Sequence, residues 1–248
     1  MNLVKPSIEF LNMTPEPLKT IEIAGRTCYK SEDKIGRIIC PNCLGSGGID
    51  FRSGEKQVSI ALRDHHLKDL DCKDCGVVGM VDSSVLFVRK IISRGHLAMI
   101  EHAWMSYRVI CDRGVTHEIV RHRLFSYAQE STRYCDYKND HMQFIEPPWL
   151  NEVEYYSKQH CLNFLEDAEN LYKELRQNGW SPQEARSILP NALKTEIVIT
   201  GNLREWLHFF KLRTAKAAHP QMQEIANMLL IDARSRIDVV FEDLSKGI

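Results

Sequence analysis

The segment Ala103 to Cys111 constrains the fold of this chain more than any other. Ala103, Met105, Tyr107, Val109 and Cys111 alternate with Trp104, Ser106, Arg108 and Ile110, the two-residue period of a β-strand with both faces in use. Helical periods lie on either side of it. Before it, Val85, Leu86, Val88, Ile91 and Ile92 repeat at helical spacing behind a cap at Asp82 or Ser83. Lys90 and Arg94 sit near the C-terminal dipole of that helix, and Gly95 ends it, delivering His96 to a loop. After it, Asp112-Arg113-Gly114 turns the chain, and Thr116 is positioned to cap a short helix carrying Glu118, Arg121 and His122. Strand and helix must then share one core. An α+β fold is expected, with helices packed on a small, mainly antiparallel sheet.

The remaining elements agree with that class. Pro6 to Leu11 suits a short strand, and Thr14-Pro15 supplies a cap and a first-turn proline for a helix running towards Tyr29. The polar run Ser126 to Thr132 reads as a loop. Met142 to Ile145 predicts a strand broken by Pro147-Pro148, and Trp149 to Asn178 a long amphipathic helix closed by Gly179. Ser181-Pro182-Gln183-Glu184 is a capping box with proline at the first helical position, opening a helix that Pro190 stops. Thr195 to Thr200 is β-rich, Asn202 caps a helix through Arg213, and a last helix runs from Pro220 to about Leu244.

A chain of 248 residues that is 44% apolar can bury a full core, and we expect a single domain over residues 1–248, interrupted by an insert at 36–80 where glycine, cysteine and charge cluster. The formal charge of −1 supplies no general field for nucleic acid or an anionic membrane, so an anionic ligand has to be met locally. No run of 18 apolar residues or export signal is evident, and a soluble, cytoplasmic protein is expected.

A local concentration of cations stands against that neutral background. Arg108, Arg113, Arg121, Arg123 and Arg133 occur with His117 and His122. Arginine presents a permanent charge and a fixed fork of donors, which suits phosphate and carbonyl groups. A bare Arg-His-Arg would otherwise be a solvated basic helix face. Here the pattern extends: Arg121-His122-Arg123 is followed after seven residues by Ser131, within Arg-His-Arg-Leu-Phe-Ser-Tyr-Ala-Gln-Glu-Ser-Thr-Arg. Downstream stand Ala185-Arg186-Ser187-Ile188-Leu189-Pro190, Asn202-Leu203-Arg204-Glu205-Trp206, and Leu212-Arg213 with His219. Upstream stand Gly95-His96 and Glu101-His102.

This arrangement resembles the flavin-dependent thymidylate synthase family over almost everything except residues 36–80. The resemblance implies reductive methylation of dUMP to dTMP, with methylenetetrahydrofolate as carbon donor, FAD as hydride carrier and NADPH as reductant, in a homotetramer with active sites between subunits. It implies catalytic roles for Arg213, Ser131 and His96, with Arg213 stabilising charge on the uracil ring. Flavin-binding positions implied are Ala98, Arg121, His122, Arg123, Gln129, Asn202, Arg204 and His208. Nucleotide-binding positions implied are Glu118, Arg121, Gln129, Glu130, Ser131, Thr132, Arg133, Arg186 and Arg213. Ala98 stands where the family often has a hydroxyl, and Glu118 where it commonly has glutamine.

Of eight cysteines, four form two Cys-x-x-Cys pairs, Cys40 with Cys43 and Cys72 with Cys75, and four thiolates complete a tetrahedral zinc site. Cys40-x-x-Cys43-x-Gly45-x-Gly47 resembles the DnaJ cysteine-rich repeat. Structural zinc is expected, with His65 and His66 as reserve ligands; redox-active or unliganded pairs are the alternatives. Cys28, Cys111, Cys135 and Cys161 are expected to be buried structural thiols. A zinc protein that binds nucleic acid through the Arg-His-Arg segment is the competing function.

Overall fold

The computed structural model describes residues 1–39 and 80–247. Cys40, Cys43, His65, His66, Cys72 and Cys75 lie outside the described residues, and with them the expected zinc site. Two compact units emerge, one of residues 1–15 and 103–248, the other of residues 16–102.

The larger unit is built on a four-stranded antiparallel sheet. Its strands are β2 (Ser7–Met13), β5 (Trp104–Asp112), β6 (Ser126–Gln129) and β8 (Lys194–Asn202), in the order β2-β5-β8-β6. In β5 the alternation works as the sequence implies on one side: Met105, Tyr107, Val109 and Cys111 are fully covered. The opposite face is only half covered, with Trp104 43% exposed, so the two faces are not equivalent. In β8, Thr195, Ile197, Ile199 and Gly201 occupy the covered face by the same two-residue period. Against that face lie α6 (Leu203–Arg213) and α7 (Pro220–Phe241), which bring Trp206, Phe209, Phe210 and Phe241 into edge-to-face or stacked contact. Trp206 donates its indole N–H to the Met105 carbonyl at 3.0 Å, which satisfies the polar atom that burial would otherwise strand. A second layer pairs β1 (Asn2–Val4) in parallel with β7 (Gln143–Ile145), under Leu165 and Tyr172 of α4 (Tyr155–Gln177) and Ala185 of α5 (Pro182–Ala185).

The smaller unit contains α1 (Pro17–Tyr29), a two-stranded antiparallel pair β3 (Arg37–Ile39) and β4 (Met80–Asp82), α2 (Ser83–Ser93) and a 3-10 segment Leu97–His102. Its anchor is Glu22, fully buried, which accepts from Arg26 Nε at 2.6 Å and from Ser83 Oγ at 2.7 Å; Ser83 Oγ in turn accepts from the Gly36 amide at 2.9 Å. A buried carboxylate is tolerable because its oxygens are hydrogen-bonded and its charge is paired.

Several local expectations hold. Asp82 caps α2 through Ser84 N at 2.9 Å, the Ser181–Glu184 capping box is present, and Asn202 caps α6 through Glu205 N at 2.8 Å. Others are corrected. Thr14 does not cap α1: its Oγ1 accepts from Trp104 N at 2.9 Å, extending the β2-β5 pairing, and the first-turn proline is Pro17. Thr116 does not cap α3 (Arg113–Ile119) either. Asp112, the last residue of β5, accepts from Val115 N at 2.7 Å, and Thr116 lies inside the helix. The long helix α4 starts at Tyr155 behind Glu154, six residues later than the Trp149 start, and α7 gives way to 3-10 turns after Phe241. Cys111 is buried, whereas Cys28 and Cys161 are exposed on the outer faces of α1 and α4, against expectation, and Cys135 is half-buried.

Candidate functional site

Arg121, His122 and Arg123 are not on a helix. They follow the C-cap of α3, Val120, in a turn before β6. Backbone bonds from Arg121 N to Glu118 O (3.3 Å), His122 N to Ile119 O (3.1 Å) and Phe125 N to His122 O (3.1 Å) shape that turn. The Tyr127 hydroxyl lies 2.6 Å from Ile119 O and 2.7 Å from His122 O, so a single O–H serves both carbonyls. Burial and the nearby Glu205 push its ionisation well above the usual tyrosine range, which keeps it a donor.

Opposite the turn, α6 presents Glu205, His208, Leu212 and Arg213, residues at i, i+3, i+7 and i+8 that share one helical face. Turn and helix enclose an open hollow of about 500 Å³ lined by Arg121, His122, Arg123, Leu124, Glu205, His208, Leu212 and Arg213. Arg121 and Arg123 are exposed at its mouth, and His122 and Glu205 are 5% exposed.

Arg213 is the hub. Its Nε donates to His122 Nε2 at 3.0 Å, Nη1 to Glu118 Oε2 at 2.7 Å, and Nη2 to the Glu118 carbonyl at 3.1 Å. A guanidinium carries five N–H donors, so one on each terminal nitrogen remains for a ligand while the group is held from three directions. Glu118, whichever residue relatives carry there, pairs directly with Arg213. Burial, then the charge of Arg213, then His208, lower the His122 pKa to about 4, so the imidazole is neutral at pH 7. Burial raises the Glu205 pKa, opposed by His208 and Arg204.

A second group follows β6. Gln129 ends that strand, where a loop was expected, because Ser126 to Gln129 pair as an edge with Ile197 to Thr200 of β8. Gln129 Nε2 donates to Thr116 Oγ1 at 3.1 Å and Thr195 Oγ1 at 3.3 Å. Glu130 N is taken by the Glu196 carbonyl at 2.8 Å, so that amide is not open to an anion as a loop amide would be. The Glu130 carboxylate accepts from Tyr137 at 2.6 Å and pairs with Lys194 at 3.3 Å. Buried Thr132 accepts from Arg186 Nη1 at 3.3 Å, Ser131 Oγ accepts from Arg133 N at 3.3 Å, and the exposed Arg133 guanidinium stacks 5.5 Å from the Tyr134 ring centre. His96 and Ala98 are exposed in the smaller unit, on either side of the start of its 3-10 segment.

The structure therefore gathers Arg121, His122, Arg123, His208 and Arg213 around one hollow, with Glu118 behind Arg213, and Glu130, Thr132 and Arg186 into bonds near the end of β6. Asn202 uses its carboxamide oxygen to cap α6, and Arg204 is exposed on the first turn. Sequence reasoning passed over Glu205, Tyr127, Leu124 and Leu212. Glu205 stands three residues after the Asn202 cap, where an acidic residue reads as a helix-start signal, and that reading hides its second role.

The family described as thymidylate synthase complementing protein matches residues 9–236. A flavin-dependent thymidylate synthase of Geobacter sulfurreducens is 28% identical over 241 residues, 97% of this chain and 87% of that protein. One from Pyrococcus furiosus is 37% identical over 154 residues, covering 60% of this chain and 62% of that protein. Among solved structures, the UMP/dUMP methylase PolB from Streptomyces cacaoi, bound with 5-Br dUMP, superposes with a TM-score of 0.67 over 100% of this chain and 98% of that one. At 19% identity that likeness establishes a shared fold.

Proposed function

This chain belongs to the thymidylate synthase complementing protein family, and on that premise we propose that it is a flavin-dependent thymidylate synthase, converting dUMP to dTMP by reductive methylation with FAD as hydride carrier, methylenetetrahydrofolate as carbon donor and NADPH as reductant. The observation that carries this reading is Arg213, buttressed by Glu118 and His122 at the wall of the hollow with two donors left over. Uracil C5 becomes nucleophilic when negative charge at N3 and its flanking carbonyls is stabilised, and a pre-positioned guanidinium does this without reorganising.

The donor set of the hollow fits a flavin nucleotide. Arg121 and Arg123 offer forks for phosphate oxygens, and Leu124, Leu212 and His208 offer flat or apolar wall for a ring system. When bound, FAD supplies the hydride that completes the methyl group. We assign Ala98, Arg121, His122, Arg123, Gln129, Asn202, Arg204 and His208 to holding it. Glu118, Gln129, Glu130, Thr132 and Arg186 position the nucleotide, Ser131 and Arg133 hold its phosphate or orient its base, and His96 serves flavin and substrate.

Assembly as a homotetramer accords with Leu124 at 71% and Leu212 at 48% exposure on the rim of the hollow, where a second copy would cover apolar surface. Cys40, Cys43, Cys72 and Cys75 hold a structural zinc in this reading; less than a stoichiometric amount in protein purified without chelators would remove it. The near-neutral charge and pI of about 6.8 favour the enzyme over a nucleic-acid-binding protein.

Tritium release from C5-labelled dUMP, with FAD, NADPH and methylenetetrahydrofolate present, tests the activity. Arg213→Ala is expected to cut release by about 10²–10³-fold or more while flavin remains bound. Wild-type release from that variant, or none from a flavin-loaded wild type, would overturn the assignment.

A further inference from the structure

The hydrogen-bonding direction at Arg213 fixes which ring nitrogen of His122 carries the proton. A guanidinium is always protonated, so its Nε–H can only donate. At 3.0 Å from Arg213 Nε, the His122 Nε2 must therefore present a lone pair. The ring proton then resides on Nδ1, and the group facing Nδ1 is the Glu205 carboxylate, with Oε1 at 3.6 Å. That separation is too long for a hydrogen bond. It is a charge-to-dipole contact, strengthened because both side chains are only 3–6% exposed.

We infer that Glu205 is a positioning residue of this site: its carboxylate holds His122 in the Nδ1–H tautomer, leaving Nε2 as the acceptor that fixes Arg213. The opposite tautomer, or the imidazolium, would set an N–H against the Arg213 N–H at 3.0 Å and drive the guanidinium off Glu118.

The surroundings are consistent from every side. On α6, His208 stacks edge-on to His122 at 5.6 Å and adds positive potential with Arg213, opposing a second ring proton. From the turn, Arg121 and Arg123 line the same hollow, and Glu118 neutralises Arg213 from beyond it. From β6, Tyr127 grips the His122 carbonyl and leaves the ring free. Phe125 and Phe209 flank the ring at 6.2 and 5.0 Å and exclude water. Glu205 is itself fixed, because its amide donates to the Asn202 cap at 2.8 Å. The chain Asn202, Glu205, His122, Arg213, Glu118 thus ties the first turn of α6 to the turn after α3, and its last turn to α3 itself.

This concerns the site proposed above for flavin and nucleotide, yet the proton's location is measurable whether or not the protein turns over. With ¹⁵N-histidine-labelled protein, a two-bond ¹H–¹⁵N spectrum at pH 7 reads the tautomer of each imidazole, and loss of one pattern in His122→Asn assigns the signal. His122 is expected to be neutral with Nδ1 protonated. In Glu205→Leu, which keeps the volume and removes a buried carboxylate, Arg213 alone opposes the Nε2–H form, and that form is expected to gain population. Glu205→Gln keeps the size and a carbonyl dipole but removes the charge, so its Nδ1–H population should fall between those of wild type and Glu205→Leu. An Nε2–H or doubly protonated ring in the wild type, or an unchanged pattern in Glu205→Leu, would overturn the assignment. If the leucine variant does not fold, the wild-type spectrum still decides the tautomer, and a Glu205→Gln spectrum identical to that of wild type would count against the Glu205 charge. Failure of the tritium assay with the expected spectrum would instead reject the proposed activity and leave the tautomer assignment standing.

Discussion

Replacing Gly201 by alanine should disturb the site from beneath. Gly201 lies on the covered face of β8 opposite Met105, and a Cβ there would overlap the Cδ1 and Cε1 atoms of Phe125 and come within 3.3 Å of its Cγ. Phe125 is 6% exposed and boxed in by Trp206 at 4.6 Å, Phe209 at 5.9 Å and Tyr127 at 6.1 Å, so its ring has no open side into which to swing. Overpacking of this kind costs about 1–3 kcal/mol, and the enclosure argues for the upper half of that range. With an m-value of about 2–3 kcal/mol/M, a cost of about 2–3 kcal/mol would lower the urea midpoint by about 0.7–1.5 M at fixed protein concentration. Since Phe125 also flanks His122 at 6.2 Å, flavin affinity should weaken in parallel. Phe125→Leu alone is expected to cost about 1–2 kcal/mol by leaving a void. Combined with Gly201→Ala it should cost less than the sum by about 1 kcal/mol, because the smaller side chain admits the new methyl. A Gly201→Ala midpoint equal to wild type, or strict additivity in the double variant, would refute the packing argument.

Other outcomes follow from the same geometry. Because the His122 pKa is near 4 when folded against 6.5 as the free side chain, its contribution to stability is complete above pH 6.5 and shrinks as pH falls towards 4, by up to about 3 kcal/mol. Glu205, whose folded pKa is raised, works in the opposite direction as pH falls through its own titration, so the net loss is smaller. Urea midpoints at pH 7, 5.5 and 4 should show a slope that flattens in His122→Gln; equal slopes would contradict it. Tyr127→Phe strands two carbonyls that share one hydroxyl and should lower stability by about 1–2 kcal/mol, measurable by the same titration; a midpoint like that of wild type would remove the tyrosine from the argument. Cys135→Ala should retain turnover within about twofold, since no covalent nucleophile is required; complete loss with unchanged folding would point to the other chemistry.

Much of this protein is written in neighbouring residues. The caps at Asp82, Asn202 and Ser181, the glycine stops at Gly95 and Gly179, and the alternation through Tyr107 are legible because each is an interaction within a few residues, with few partners to choose from. The Arg-His-Arg pattern and its spacing to Ser131 likewise carry the family resemblance within thirteen consecutive residues. Local rules fail where two local answers compete. Thr116 and Asp112 are both good caps, and β5 settles the matter by running on to Asp112, paired with Lys194. Ser126 to Gln129 reads as a polar loop until β8, some seventy residues on, offers it an edge. The site depends on still longer links. Arg213 meets His122 across 91 residues and Glu118 across 95, and Glu205 looks like part of a helix start until the fold sets it beside an imidazole. The cations and the caps, and the elements that carry them, are set by residues close together along the chain. Closing loops of that length draws its free energy from the shared apolar core of Tyr107, Trp206, Phe209 and Phe210, so the tertiary structure alone decided which carboxylate faces which base and which nitrogen of His122 is left to hold Arg213.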